Sequence, residues 1–199
     1  MDGTLIDSGN VITNTINFVR VNIGLEPIEK TTLLTQLNNP DINAADFFYG
    51  TDEFTQEQTE LFTQYYDQHC ISDIMLYDGI EDLLKELSKD FKLSIATNAS
   101  VQFASKMLKY LNIDRYFNFT IGACSVKNPK PYPDMVIKTL KYFNVDAKDA
   151  IVVGDSYKDK KAALGANVDF ILVDWGFTNF DDNEAIKSID TLKAILLNK

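Results

Sequence analysis

The sequence predicts an α/β protein: a parallel sheet covered on both faces by helices, with a separate helical stretch near its N-terminus. Three observations carry this reading. From residue 79 onward, short apolar runs alternate with segments of helical periodicity, the pattern of parallel strands buried on both faces. Residues 10–75 read as helices and loops, with no strand-like run. The chain of 199 residues is 45% hydrophobic and 24% charged, which supplies a core for one compact unit with a modest insertion and gives no case for disorder.

The elements follow in order. Val11, Thr15, Phe18, Val19 and Asn22 fall at helical spacing. Residues 55–66 continue the helical pattern, and Leu61, Phe62, Tyr65 and Tyr66 are expected to form a buried stripe. Asn38-Asn39-Pro40 and Tyr49-Gly50-Thr51 read as breaks between helices. The alternating part opens with a helix over 80–87 and a strand over 92–97. A helix over 101–111, a weaker strand over 119–122 and a helix over 133–143 follow. The apolar run 150–153 predicts a strand, 158–165 a helix, 170–173 a strand and 189–197 a closing helix. Crossovers between the parallel strands should be right-handed.

Composition excludes several functions. The formal charge is -10, the wrong sign for a general nucleic-acid binder. The imbalance is local: residues 1–84 hold fifteen acidic side chains against two basic ones, Arg20 and Lys30. The simplest reading of this face is solubility. Its functional reading is repulsion of large polyanions, leaving room for a small, metal-chaperoned anionic substrate. Cys70 and Cys124 form no CxxC pair and His69 is the one histidine, which argues against a zinc site or disulfide framework and for a reducing, cytoplasmic setting. No apolar run approaches the ~20 residues of a membrane span. Two aspartates in the first ten residues argue against a signal peptide. A Ser–His–Asp triad would rest on His69 alone, with no Gly-x-Ser-x-Gly elbow, so His69 is expected to be structural or exposed.

In open α/β sheets the chemistry sits at the carboxyl ends of the strands. Thr97-Asn98 follow one predicted strand. Gly154-Asp155-Ser156-Tyr157-Lys158-Asp159 follow another. Lys130-Pro131-Tyr132-Pro133 precede a helix, and Asp2-Gly3-Thr4-Leu5 open the chain. Taken singly, each has an ordinary structural explanation: a helix cap, a surface lysine, a strand-end hydroxyl, a turn. Together they bring a hydroxyl, an amide, an ammonium and carboxylates to one rim. Clustered carboxylates repel, and a divalent cation relieves that repulsion. With oxygen donors and no usable His/Cys set, the expected cation is hard, and Mg²⁺ is favoured. A lysine and a hydroxyl beside such an ion suit a phosphoryl group.

The order and spacing of these segments resemble the haloacid dehalogenase-like hydrolase superfamily, and within it the phosphoglycolate-phosphatase-like branch. Met1-Asp-Gly-Thr-Leu-Ile-Asp-Ser8 is similar to the first motif, Asp-x-Asp-Gly-Thr-Leu, less its opening residue. Leu93 to Asn98 resembles the second motif and Lys130-Pro-Tyr-Pro the third. Gly154-Asp155-Ser-Tyr-Lys-Asp159, followed by Ala162-Ala-Leu-Gly165, resembles the fourth, and Val173-Asp-Trp-Gly176 is similar to the segment that follows it. The resemblance implies a Rossmann-like core over 1–9 and 78–199, with a helical cap inserted over 10–77. It implies a two-step phosphoryl transfer through an aspartyl-phosphate on a small phosphorylated metabolite. Asp2 would be the general acid and base. Thr97 and the Asn98 amide would donate to phosphoryl oxygens, and Lys130 would hold nucleophile and phosphate together. Asp155, Asp159 and the Asp2 carbonyl would serve a Mg²⁺ ion. Arg20 and Lys30 are the only cap bases that are candidates for a second anionic group on the substrate.

One departure matters. The family's nucleophile stands two residues before the general acid, which places it ahead of Met1, and the apolar first strand is absent as well. That strand is central in the family, between the strands ending at Ala96 and Val153. Its slot is expected to be filled by other residues, or the two strands to close on each other, and residues 1–8 are not expected to form a normal central strand. A chain without the nucleophile would be a non-catalytic phosphate- or partner-binding remnant. A haloacid dehalogenase is disfavoured by Asp2, Asp155 and Asp159. A sugar phosphomutase is disfavoured by Thr4.

Overall fold

The structure is a computed structural model, and it describes residues 1–177 and 184–198. The chain opens in a tight turn. The Met1 carbonyl accepts from the amides of Leu5 and Ile6, and the Gly3 amide donates to the Ile6 carbonyl. Strand β1 (Ile6–Asp7) then pairs antiparallel with β2 (Met75–Leu76), in register Ile6 to Leu76. This two-rung pair brackets the helical stretch. Its strands are too short to leave an alternation signal in the sequence.

Between them lie α1 (Gly9–Asn22), α2 (Lys30–Asn38), α3 (Ala44–Tyr49) and α4 (Gln56–His69). Local chemistry fixes their starts. Glu29 accepts from the amides of Thr31 and Thr32, Asn43 from those of Ala45 and Asp46, and Thr55 with Gln58 forms a reciprocal capping box. Gly50 ends α3 at φ 69°, a left-handed conformation suited to glycine. Helix α1 packs against α4, where Phe18 stacks on Tyr65 with ring centres 4.5 Å apart. Val11, Thr15, Phe18, Val19 and Asn22 all lie in α1, whose buried stripe runs through Val11, Ile12, Thr15, Ile16 and Val19, and Asn22 is exposed at its end. One expectation needs correction. In α4 only Tyr66 of the expected stripe is fully buried. Leu61, Phe62 and Tyr65 are half-buried; Tyr65 packs on α1, and Phe62 faces a cavity.

The alternating part follows the predicted order: α5 (Ile80–Asp90), β3 (Ser94–Thr97), α6 (Val101–Tyr110), β4 (Phe119–Gly122), α7 (Asp134–Phe143), β5 (Ile151–Gly154), α8 (Tyr157–Gly165), β6 (Asp169–Leu172) and α9 (Ile189–Leu197). Strands β3 and β4 are parallel, Ser94 opposite Phe119. Strands β5 and β6 are parallel, Ile151 opposite Asp169. The parallel strands are therefore hydrogen-bonded as two pairs. Strands β3 and β5 do not pair with each other, and no described segment is hydrogen-bonded between them. Residues 1–8 build the turn and β1 instead of a central strand. One group on the β3 side still finds a partner, since the Lys130 ammonium takes the Ala96 carbonyl at 2.7 Å.

A single apolar cluster ties the two parts together, with Ile16, Leu33, Phe48 and Tyr66 from the helical stretch and Ile95, Met107 and Val173 from the alternating part. Burying side chains of this size contributes ~1.5–3 kcal/mol each. A smaller cluster, Val136, Ala162, Ala166 and Val168, seats α7 on α8.

Candidate active site

The N-terminal turn lies directly on the loop after β5. Gly3 has φ 73°, and a Cβ there would sit 2.1 Å from Asp155 Oδ2, so glycine is required for both reasons. Thr4 Oγ1 donates to Asp155 Oδ1 at 2.7 Å. Ser8 Oγ donates to Asp2 Oδ1 at 2.5 Å, fixing the Asp2 carboxylate. The segment after β6 holds this turn in place. Trp175 Nε1 donates to the Thr4 carbonyl at 3.0 Å, and a Cβ on Gly176 would meet the Gly3 carbonyl at 2.2 Å.

After β5 the chain turns at Gly154, where a Cβ would strike Asp159 at 2.5 Å. Ser156 caps α8, its hydroxyl accepting from the Asp159 amide and donating to Asp159 Oδ2. Asp155 and Asp159 thus leave the rim of β5 side by side, and both are buried. Their environments differ. The Lys130 ammonium lies 2.6 Å from Asp159 Oδ1, with the two side chains 10% and 11% exposed. Burial alone would push Asp159 up, but Lys130 and the Ser156 hydroxyl hold its carboxyl below the ordinary range. Asp155 has only neutral hydrogen-bond donors, Thr4 and Asn38. Its burial, and then the Asp159 charge, push it up to about 6.

Lys130 is itself positioned by Asn98. The Asn98 side chain donates to the Lys130 carbonyl at 2.9 Å and accepts from its amide at 3.1 Å. The Asn98 side chain therefore serves the lysine loop. The Thr97 hydroxyl, buried at the end of β3, accepts from the Ala99 amide at 3.1 Å, and as a hydroxyl it still has a proton to donate. Asp2, Thr97, Asn98, Lys130, Asp155 and Asp159 all line one cavity of about 400 Å³. Segments as far apart in sequence as Thr4 and Asp155, 151 positions, meet at this one place.

Three cavity residues, Asn38, Lys158 and Ser156, were not visible in the sequence as site residues. Asn38, noted only as part of a helix break, donates from the end of α2 to Asp155 Oδ2 at 3.0 Å. Lys158 Nζ donates to the Leu37 carbonyl at 2.7 Å, and Lys161 pairs with Asp41 at 2.7 Å on the surface. These contacts join α2 and the turn after it to α8 and the loop before it across about 120 positions of sequence, and no local pattern marks them. The third is Ser156, whose hydroxyl orients Asp159.

The other residues singled out lie elsewhere. Arg20 donates to the carbonyls of Glu26 and Phe48, and Lys30 to Asn10 at the surface. Neither lines the cavity. His69 Nδ1 lies 2.8 Å from the Tyr65 carbonyl and its ring stacks on the Tyr65 ring, a structural role. Cys70 is buried, Cys124 is exposed, and both are free. No described helix is long and apolar enough to cross a membrane.

Among the described residues, no three His, Cys, Asp or Glu side chains form a preassembled metal cluster. The donor chemistry nevertheless fits a hard cation at one point. Asp155 is a buried carboxylate beside a second carboxylate, without a cationic hydrogen-bond partner, and a divalent ion would supply the missing charge.

Comparison with known proteins bears on the family and the fold. The family model described as haloacid dehalogenase-like hydrolase matches residues 1–173. A phosphoglycolate phosphatase of Aquifex aeolicus (strain VF5) is 29% identical over 182 residues, 91% of this chain and 85% of the relative. One from Colwellia psychrerythraea is 27% identical over 192 residues, 92% of this chain and 85% of the relative. Among solved structures, a predicted phosphatase from Clostridium acetobutylicum superposes with a TM-score of 0.88 at 24% identity, covering 100% of this chain and 96% of that one. A haloacid dehalogenase-like family hydrolase from Streptococcus pneumoniae superposes at 0.80 with 22% identity, over 100% and 95% of the two chains. At these identities the structural likeness establishes the fold: an α/β, Rossmann-like core with a helical cap.

Proposed function

The chain belongs to the haloacid dehalogenase-like hydrolases, and on that premise we propose that its cavity binds the phosphoryl group of a small phosphomonoester for hydrolysis. The observation that carries the reading is the Lys130–Asp159 ion pair, buried in the same cavity as Thr97, Asp155 and Asp2. Residues 10–77 act as the cap over the core formed by 1–9 and 78–199. The name the relatives carry, phosphoglycolate phosphatase, supports the phosphatase class.

In this reading Lys130 is held at its post by Asn98 and Asp159 and neutralises phosphoryl charge. The Thr97 hydroxyl and the Asn98 main-chain amide donate to equatorial oxygens. Asp2, oriented by Ser8, holds the proton that the leaving alcohol takes, then accepts one from attacking water. Asp155, with the Asp2 main-chain carbonyl, would hold Mg²⁺, while Asp159 keeps Lys130 aligned. When bound, the ion would screen the phosphoryl and carboxylate charges from one another. The family resemblance would assign the covalent step to a carboxylate two positions before Asp2, the position that the extended version below supplies.

The test uses two proteins, the 199-residue chain and a version extended by an apolar strand ending in Asp immediately before Met1. Calorimetry with inorganic phosphate and Mg²⁺ should show binding to both, lost in Lys130→Met. Phosphate release from a panel of esters should appear in the extended version. Failure of the extended version on the whole panel with Mg²⁺ would sink the phosphatase reading, and phosphate binding alone would then favour a non-catalytic binding protein.

A further inference from the structure

The wall that faces the phosphoryl site is built from the helical stretch, and none of its lining residues carries a charge. Ile12 and Ile16 come from α1, Leu37 from α2, and Phe62 and Tyr66 from α4. The Phe62 and Tyr66 rings stack with centres 5.4 Å apart, and Phe103 of α6 meets Tyr66 edge-on at 5.0 Å, extending the aromatic surface into the core side. Tyr66 adds no polar group to this wall. Its hydroxyl contacts the Met107 sulfur at 3.6 Å in the interior, and burial pushes that hydroxyl well above its ordinary range. The polar side chains from the cap are Asn38, committed to Asp155, and Thr63.

Apart from the Met1 ammonium, which sits among Asp2, Asp155 and Asp159 on the core side, the bases that could receive a second anion are placed elsewhere or engaged. Arg20 and Lys30 lie outside the cavity, holding main-chain carbonyls and Asn10. Of the cavity's lysines, Lys130 is tied to Asp159 and the Ala96 carbonyl, and Lys158 to the Leu37 carbonyl. A carboxylate at the far end of a ligand would shed its water against hydrocarbon and aromatic faces, with Asp2, Asp155 and Asp159 in the same cavity. Methylene groups in that position would instead gain by leaving water.

From this lining we infer that the preferred substrates are phosphomonoesters of uncharged, largely apolar alcohols, and that the cap discriminates against esters ending in a carboxylate. The inference rests on the phosphoryl-site reading above and departs from the substrate named for the relatives. It concerns affinity, so it is tested by binding, without need of turnover.

The experiment is calorimetry on the 199-residue protein with Mg²⁺ and three unreactive probes: methylphosphonate, n-butylphosphonate and 3-phosphonopropionate. n-Butylphosphonate should bind at least about tenfold tighter than methylphosphonate, as burial of added methylenes requires. 3-Phosphonopropionate should bind no tighter than methylphosphonate. Thr63→Lys, which adds a cation on the same wall at an exposed position, should raise the ratio of 3-phosphonopropionate to n-butylphosphonate affinity by about fivefold or more. Equal or tighter binding of 3-phosphonopropionate than n-butylphosphonate by the unaltered protein would overturn the inference. So would methylphosphonate binding with no gain from the butyl chain, and in that case the phosphoryl site would stand. If methylphosphonate itself fails to bind, the phosphoryl-site reading fails and the inference falls with it.

Discussion

Replacing Asp155 by Asn should stabilise the metal-free protein while removing its response to Mg²⁺. Asp155 is 4% exposed and is pushed from 3.8 to about 6 by burial and by Asp159. A carboxyl with a raised folded pKa contributes stability that is fully present below its unfolded value and lost as pH rises through the folded one. The window here is therefore about pH 4 to 6. A shift of roughly two units corresponds to an upper bound of ~3 kcal/mol lost by the ionised form. The substituted asparagine would recover only part of this. One of its atoms becomes an amide nitrogen, and the Asn38 side chain, now 3.0 Å from Oδ2, would have to turn so that its carbonyl accepts. A net gain of ~1–2 kcal/mol remains after that cost. For a chain of this size it corresponds to roughly 2–8 °C in melting temperature. The assay is thermal melting in a chelating buffer near pH 7.5 and near pH 5, followed by Mg²⁺ titration. Asp155→Asn should melt higher than the unaltered protein near pH 7.5, and the difference should shrink near pH 5. Mg²⁺ should raise the melting point of the unaltered protein, by preferential binding to the folded state, and leave the variant unmoved. A variant that is less stable than the unaltered protein at both pH values would refute the view of Asp155 as a buried charge that its surroundings compensate incompletely.

Three further outcomes follow from the same geometry. Lys130→Met leaves the buried Asp159 carboxylate without its cation, and urea denaturation should show a loss of about 3–5 kcal/mol, while a loss below about 1 kcal/mol would mean that the pair is not buried as described. Gly3→Ala and Gly24→Ala both place alanine at positive φ, yet only the first meets an atom, Asp155 Oδ2 at 2.1 Å; Gly24→Ala should cost ~1–2 kcal/mol and Gly3→Ala clearly more, and equal costs in denaturant melts would contradict the close approach. Asn38→Ala removes a contact between α2 and Asp155 and should cost about 1 kcal/mol, with faster amide exchange confined to the 30–38 helix; unchanged exchange there would show that the contact does not hold the helix.

Much of the site was legible in the sequence because its chemistry resides in local patterns. Asp2-Gly3-Thr4, Thr97-Asn98, Lys130-Pro131 and Asp155 to Asp159 each follow or precede an element whose period is readable, and the carboxyl ends of strands are where such residues gather. The alternation of strands and helices from residue 79 onward could be read for the same reason: apolar periodicity reports which face of an element leaves water.

Other features depended on contacts that no local pattern encodes. Which strands share hydrogen bonds is a property of the assembled chain, and β3 and β5 stand in separate pairs. Asn38 carries no mark as a partner of Asp155, since the two are 117 positions apart and meet only when α2 folds onto α8. The sequence supplied Arg20 and Lys30 as candidate anion receptors, and packing turned both away from the cavity. The difference between Asp155 and Asp159 is of the same kind. Two identical side chains four residues apart, one on the loop after β5 and one in the first turn of α8, acquire opposite shifts because tertiary structure gives Asp159 a lysine ion pair, whereas Asp155 has neutral hydrogen-bond donors and the Met1 ammonium as a partial offset. Residue type and spacing determine what chemistry a loop can bring, whereas the distances between loops, and the water removed from between them, determine how strongly each charge is felt.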